Sequence, residues 1–232
     1  VELDERLLVN PPVALERCNE VAEDMAKTAV SSLQEGLRVL SAYSPDAAAS
    51  IREKEEKTDY YEDILGTYLV RLSTRQINES DSMEAAKLLK TISDFERIAD
   101  HALNILESAE EMREKGLRFT DMAFHELTVI CQAVDEILDL SIKAFLEDDK
   151  EIAAMVEPLE QVIDYLKEQM RTRHIFRMQQ GECSINAGFI WSDLLTNLGR
   201  TSDHCSNIAG CVIDIASQNM NLHESLREFQ ND

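Results

Sequence analysis

The sequence is poor in residues that interrupt helices. It contains 7 glycines and 4 prolines among 232 residues, and aromatic residues make up only 6% of it. A fold of many short strands joined by tight turns would need more of all three. Hydrophobic residues in general still reach 44%, which is enough for a substantial core. The composition therefore argues against a β-sandwich or barrel and favours an all-α fold of long continuous helices.

Neither paired cysteines nor long apolar runs are present. The five cysteines are scattered, odd in number and include no Cys-x-x-Cys pair. We therefore expect them to be small buried hydrophobic residues of a protein in a reducing compartment. No run approaches the roughly 18 apolar residues that a membrane-spanning helix needs. No basic segment followed by an apolar one marks a targeting leader either. We therefore expect no direct membrane insertion of this segment, which is compatible with its being part of a longer chain.

Basic residues are outnumbered about two to one by acidic ones. The chain has 23 Lys and Arg against 45 Asp and Glu, which gives a formal net charge of −22. Such a surface repels nucleic acid and anionic lipid within about 8 Å, the Debye length in physiological salt. The balance argues against DNA or RNA as a partner. Clustered carboxylates would attract cations instead.

The sequence contains an internal duplication. Residues 97–105, Arg-Ile-Ala-Asp-His-Ala-Leu-Asn-Ile, recur 103 positions later at 200–208 as Arg-Thr-Ser-Asp-His-Cys-Ser-Asn-Ile. Five of the nine positions are identical, and apolar patterning alone would not select the Arg, Asp, His and Asn among them. A second echo, Glu-x-x-x-Asp-Tyr, appears at 55–60 and again at 160–165. The chain is therefore a repeat of one structural unit.

Apolar spacing and turn signals predict three helices in each repeat. Their expected ranges are 11–43, 47–76, 83–115, 120–147, 150–179 and 184–219. Pro158 falls inside the fifth range and predicts a kink or a short preceding helix there. The fold class is thus two tandem antiparallel three-helix bundles. We assign 1–10 to a leader, 11–117 to the first repeat, 118–221 to the second and 222–232 to a C-terminal tail.

Acidic residues on two helices of each repeat are what the duplication has kept. A spacing of four places Glu55 and Asp59 on one helix face, and the same spacing applies to Glu96 and Asp100. Two such helices side by side would direct oxygen ligands at hard cations such as Mg²⁺, Ca²⁺, Mn²⁺ or iron. The predicted metal ligands are Glu55, Asp59, Glu96, Asp100, Glu160, Asp164 and Asp203. Ordinary surface decoration is the alternative, because Glu-x-x-x-Asp is common in a chain this acidic.

The two candidate sites are not equivalent. Gly199 stands where the first repeat has Glu96, and Lys167 stands where it has Glu62. We therefore expect the second site to be weaker or occupied differently. His101 and His204 directly follow the repeated Asp residues, but adjacent helical residues point about 100° apart. We expect these two histidines to form hydrogen bonds or packing contacts rather than to bind the same ion.

The segment 95–105, Phe-Glu-Arg-Ile-Ala-Asp-His-Ala-x-Asn-Ile, and its echo resemble the PhoU family, whose repeats carry an E(D)-x-x-x-D motif. The resemblance covers nearly the whole chain. It implies two antiparallel three-helix bundles that bind multinuclear metal clusters on their surface through the acidic motifs. Iron is the metal it suggests, with zinc, manganese, magnesium and calcium as alternatives. It further implies a regulatory part in phosphate uptake and signalling, without known catalysis.

The flanking segments resemble one branch of that family. Residues 3–16 and 222–227 look like the PhoU-like cytoplasmic C-terminal region of bacterial Na⁺/phosphate cotransporters of the type II-related family. On this resemblance the leader follows a membrane region outside the sequence. The expected partner is a membrane transporter region, in the same chain or in a separate phosphate transporter. The expected location is cytoplasmic at the inner face of the plasma membrane, and a homodimer is compatible with it.

Two other functions compete with the regulatory one. A di-iron carboxylate enzyme would need Glu-x-x-His pairs inside a four-helix bundle, and no Glu-x-x-His occurs in this sequence. A metal-free helical interaction scaffold would simply display its acidic face to a basic partner. We therefore expect a metal-binding regulatory domain and not an enzyme.

Overall fold

The protein is described by a computed structural model that covers the backbone of residues 2–231 and the side chains of 2–217 and 227–228. Every regular element in the described chain is a helix. A short 3₁₀ helix, Glu5–Val9, precedes α1 (Pro11–Val39), α2 (Pro45–Ser73), α3 (Glu79–Glu114), α4 (Asp121–Glu147), α5 (Lys150–Ala154), α6 (Val156–Gln179) and α7 (Ile185–Asn231). None of the helices in this range combines the length and apolarity needed to cross a bilayer.

Side-chain caps set the first residues of α2 and α3. Ser44 accepts a hydrogen bond from the backbone N–H of Ala47 at 3.0 Å, so α2 starts at Pro45 rather than at the expected 47. The Oδ1 of Asn78 accepts from the backbone N–H of Asp81 at 2.7 Å and starts α3 four residues before the expected 83. Both starts lie up to about one turn earlier than apolar periodicity indicates, because a capping side chain and not the apolar stripe sets the first residue.

The predicted interruption near Pro158 is confirmed. The range 150–179 contains two helices, α5 and α6, with a break at Met155. Pro158 lies in the first turn of α6, where a backbone N–H would have no intrahelical acceptor, so its absence costs no hydrogen bond. The last helix continues to Asn231, so the backbone of the segment 222–231, which the sequence assigned to a tail, is helical.

One continuous apolar core joins the two repeats. Helices α1, α2 and α3 pack together in the first repeat and α4, α6 and α7 in the second, while α3 contacts α7 and α1 contacts α4 across the middle. The apolar stripes that α3 and α7 turn inwards are buried, with Phe95 and Leu198 fully enclosed and Trp191 at 1% exposure. The prediction of two tandem three-helix bundles is confirmed.

Polar residues of the repeated motif form the contact between α3 and α7. The Nδ1 of His101 lies 2.8 Å from Oδ1 of Asn197, and Asn104 donates its Nδ2 to the same oxygen at 3.1 Å. Asn197 belongs to the other repeat. The His and Asn of the first motif thus bind the partner helix and not the acidic face of their own repeat.

The second motif makes the reciprocal contact. His204 Nδ1 lies 2.9 Å from Oδ1 of Asp94, and Asn207 donates to that oxygen at 3.4 Å. Asp94 occupies in the first repeat the position of Asn197 in the second. The rings of His101 and His204 stack between the two contacts, with centroids 5.5 Å apart. The expectation that both histidines form hydrogen-bonding and packing contacts is confirmed.

Candidate metal centre

The first-repeat cluster consists of five carboxylates on α2 and α3. Glu55, Asp59 and Glu62 are spaced by four and three residues along α2, and Glu96 and Asp100 by four along α3. The two helices pack side by side, which brings both stripes together. One carboxylate oxygen from each of Asp59, Glu62 and Glu96 lies within 4.8 Å of the other two.

The cluster lies at the rim of the core. On α2 the apolar stripe that includes Ile51, Tyr61 and Leu65 is buried, and the acidic stripe runs beside it. Asp59 is exposed, while Glu62 and Glu96 are half-buried. The carboxylates are thus partly removed from water yet open to ions arriving from solution.

The carboxylates repel one another. Burial, then the hydrogen bond to Asp100, and then the charges of Asp100, Glu62 and Asp59 raise the pKa of Glu96 to about 8. The pKa of Glu55 is raised by burial and by the charges of Asp100 and Asp59. In the absence of a metal, Glu96 therefore holds a proton at neutral pH.

Arg97 partly offsets this repulsion at one member of the cluster. The pKa of Glu62 is still raised, by burial first and by the charges of Asp59 and Asp100, although the charge of Arg97 opposes the shift. Arg97 is exposed and its effect is outweighed. A bound cation would act in the same direction as Arg97 and more strongly, because a metal ion is the largest local charge in such a site.

The donor set fits a hard cation. All five groups are carboxylates, the ligand type preferred by Mg²⁺, Ca²⁺ and Mn²⁺ and also used by non-haem iron, whereas soft metals select sulfur. Three convergent oxygens with two more carboxylates beside them can hold one ion or a small cluster. The residues present therefore fit the metal that the sequence suggests.

The second-repeat cluster has fewer carboxylates. Burial, the hydrogen bond to Asp203 and the charges of Asp203 and Asp164 raise the pKa of Glu160, so these three residues do come together. The Nζ of Lys167, however, lies 3.1 Å from Oδ1 of Asp164, and Gly199 supplies no ligand. Within the described part of the chain, a set of three convergent ligand atoms occurs only in the first repeat.

The structure thus brings the predicted site residues into two groups. Glu55, Asp59, Glu96 and Asp100 gather in the first repeat, and the other three gather in the second. Metal binding by either group stays a prediction. Sequence reasoning left out Glu62, although its position three residues after Asp59 places it on the same helix face.

The fold and these clusters define a class: an all-helical protein of two duplicated bundles, each with carboxylates on neighbouring helices. Comparison with known proteins gives the family. The sequence profile of the PhoU domain matches residues 22–109 and again 127–212, one match in each repeat and together more than half of the chain. The chain belongs to the PhoU family.

Curated relatives cover much of the chain at low identity. The phosphate-specific transport system accessory protein PhoU homolog 1 of Thermotoga maritima is 28% identical over 140 residues, 60% of this chain and 59% of the relative. The PhoU homolog of Pseudomonas aeruginosa is 27% identical over 169 residues, 72% of this chain and 68% of that protein. The matched part therefore spans roughly three fifths to two thirds of these relatives' length.

Solved structures share the fold. PhoU from Pseudomonas aeruginosa superimposes with a TM-score of 0.73 at 22% identity, over 91% of this chain and 97% of that one. The phosphate transport system regulatory protein PhoU from Streptococcus pneumoniae gives a TM-score of 0.77 at 17% identity, over 90% and 98% of the two chains. At these identities the likeness establishes the architecture alone.

Proposed function

We propose that this chain is a regulatory domain of phosphate transport or phosphate signalling that binds cations at the first-repeat cluster. The relatives support the regulatory part, because they are accessory proteins of phosphate-specific transport systems. The single observation that carries the metal-binding part is the convergence of Asp59, Glu62 and Glu96 within 4.8 Å. Nothing in that set of side chains neutralises the others.

Glu55, Asp59, Glu62, Glu96 and Asp100 would hold the metal. When bound, it would supply positive charge and open coordination positions on a surface that otherwise repels anions. The chain's own part is to hold two acidic stripes on adjacent helices, α2 and α3, close enough for their carboxylates to repel one another. Ion binding would then reduce the local negative charge and fix α2 against α3, and both changes alter the surface offered to a partner.

The proposed partner is a membrane transporter region, in the same chain or in a separate phosphate transporter. Two features support it: the relatives belong to transport systems, and the flanking segments resemble a cotransporter's cytoplasmic region. The proposed location is cytoplasmic, at the inner face of the plasma membrane. We also propose a regulatory rather than an enzymatic role, because the carboxylates lie at the bundle rim and no Glu-x-x-His pair occurs.

Elemental analysis of protein purified without chelators tests the metal site. Asp59→Asn combined with Asp100→Asn removes a ligand from each helix and should abolish metal retention. Asp63→Asn is the matched control, because Asp63 is exposed on the same helix and outside the cluster. If the double variant keeps the metal content of the parent protein, the metal-free scaffold replaces this proposal.

Two further measurements separate the rival functions. Binding of the purified domain to the membrane part of a candidate phosphate transporter, with and without the metal, tests the regulatory contact. Turnover of dioxygen or peroxide by the metal-loaded protein tests the di-iron enzyme. Turnover that disappears in the Asp59→Asn and Asp100→Asn variant would defeat the regulatory account.

A further inference from the structure

The second-repeat cluster contains an ammonium group where the first has a carboxylate. Lys167 is the counterpart of Glu62, and its Nζ lies 3.1 Å from Oδ1 of Asp164 and 3.9 Å from Oε1 of Glu168. Its side chain is only 20% exposed, against 61% for Asp164. The lysine therefore lies along the protein surface between α6 and α7 rather than extending into water.

Gly199 makes room for this lysine. A Cβ added at Gly199 would lie 2.9 Å from Cδ of Lys167 and 3.3 Å from its Nζ. The stem of Lys167 therefore rests on the backbone of α7 at the position that Glu96 occupies on α3. The pair Glu62 and Glu96 of the first repeat is replaced by a pair in which one residue supplies a cation and the other supplies the space for it.

A second basic residue extends the same face of α6. Arg171 follows Lys167 by four residues, and its Nη2 donates a hydrogen bond to Oγ1 of Thr196 at 2.8 Å. The corresponding residues of the first repeat are Gly66 and Ser93, neither of which carries charge. The face that α6 turns towards α7 thus carries two cationic side chains beside Glu160 and Asp164, whereas the equivalent positions of α2 carry carboxylates and no cation.

We propose that the ammonium group of Lys167 is a built-in counter-ion that takes, in the second repeat, the place of the metal ion in the first. The chain itself then supplies a positive charge that pairs with Asp164 and partly offsets the charge of Glu160, Asp164 and Asp203, and each chain takes up metal at the first cluster only. A lysine supplies one positive charge and three hydrogen-bond donors. The stability of the second repeat is therefore independent of the metal-ion concentration, whereas that of the first repeat depends on it.

This inference rests on the proposed function for its contrast between repeats, so the experiment is run with the first cluster disabled. The background variant carries Asp59→Asn and Glu96→Gln, and the probe is Mn²⁺ alone. In this background we expect no retained Mn²⁺ after desalting and no Mn²⁺-dependent change in melting temperature. Adding Lys167→Glu and Gly199→Glu recreates the missing carboxylate pair, and Mn²⁺ retention should return.

A milder variant guards against misfolding of that multiple mutant. Lys167→Met in the same background keeps the length of the stem and removes the charge. It should melt at a lower temperature in metal-free buffer, and Mn²⁺ should raise its melting temperature by about 2 to 4 °C. Lys143→Met is the matched control, because Lys143 is an exposed lysine on α4, and it should show neither effect.

Two results would overturn the inference. The first is that the background variant, which keeps Lys167, binds Mn²⁺ and that adding Asp203→Asn abolishes this binding. The other is a Lys167→Met variant that melts like the background variant and ignores Mn²⁺. Failure of the proposed function looks different: the parent protein would retain no Mn²⁺, while Lys167→Met would still lower the melting temperature without metal.

Discussion

Replacing Glu96 by Gln should have opposite effects on the metal-free and metal-loaded protein. In the metal-free protein the pKa of Glu96 is raised, by burial first, to about 8 from the ordinary 4.5. At neutral pH the folded state therefore holds a proton that the unfolded state has released. Gln resembles the protonated acid in shape and can donate to Asp100 as that acid does, so the variant avoids the penalty of this mismatch.

The sign and size of the effect follow from linkage. Below the unfolded pKa both states are protonated and Glu96 costs nothing; as pH rises from about 4.5 to about 8, the folded state becomes progressively less stable. At 1.36 kcal/mol per pH unit the cost at neutral pH is at most about 3 kcal/mol. The carboxyl is partly exposed and solvent screens it, so we expect about 1 to 2 kcal/mol.

Urea denaturation at pH 5 and pH 8, with chelator and with saturating Mn²⁺, measures both effects. In chelator at pH 8, Glu96→Gln should be more stable than the parent by about 1 to 2 kcal/mol, and at pH 5 the difference should shrink. In Mn²⁺ the order should reverse, because the parent gains binding energy that the variant has lost. Glu53→Gln, at an exposed position on α2, should change neither. A Glu96→Gln variant that is less stable than the parent in chelator at pH 8 would refute the reasoning.

Three further predictions concern buried polar side chains, two within the second repeat and one between the repeats. Burial lowers the pKa of His174 to about 4. The free energy of unfolding should therefore fall by about 2 to 3 kcal/mol as pH falls from about 6.5 to 4. In a series of denaturant melts at different pH values, His174→Phe should flatten this dependence. Glu126 and Arg177 form a buried ion pair, with Oε1 and Nη1 3.0 Å apart. Glu126→Gln weakens this pair and should lower the free energy of unfolding by about 3 kcal/mol. A loss below about 1 kcal/mol would count against the pairing. Asp94→Ala removes the oxygen that His204 and Asn207 share and should cost about 1 to 3 kcal/mol by urea denaturation, with the first-repeat metal content retained as the internal control.

The helices could be predicted from the sequence because their apolar seams repeat without interruption. Leu88, Ile92, Phe95 and Ala99 are spaced as one face of a helix requires, and all four are buried. The starts of α2 and α3 were harder to place, because each is set by a single capping side chain, Ser44 or Asn78. A cap is a single hydrogen bond and leaves no periodic trace.

The candidate site was only partly predictable. The predicted ligands include Glu96 but not Glu62, although neither residue has a carboxylate at the equivalent position of the second repeat. The repeat alone therefore does not decide which unrepeated carboxylates belong to the site, because that depends on how α2 packs against α3. Nor does the repeat separate residues that face the acidic site from residues that face the other repeat, since both kinds are kept in the motif.

The repeated motif keeps both residues that face the acidic cluster and residues that face the other repeat. Asp100 and His101 are neighbours on α3, so their side chains point about 100° apart, one towards α2 and the other towards α7. The same geometry recurs at Asp203 and His204. The polar contact between α3 and α7 is reciprocal, and a change on one helix would lose contacts in both repeats. The cluster is local to each repeat, so Glu96 could be replaced by Gly199 in the second copy while the Asp-His pair and its Asn remained.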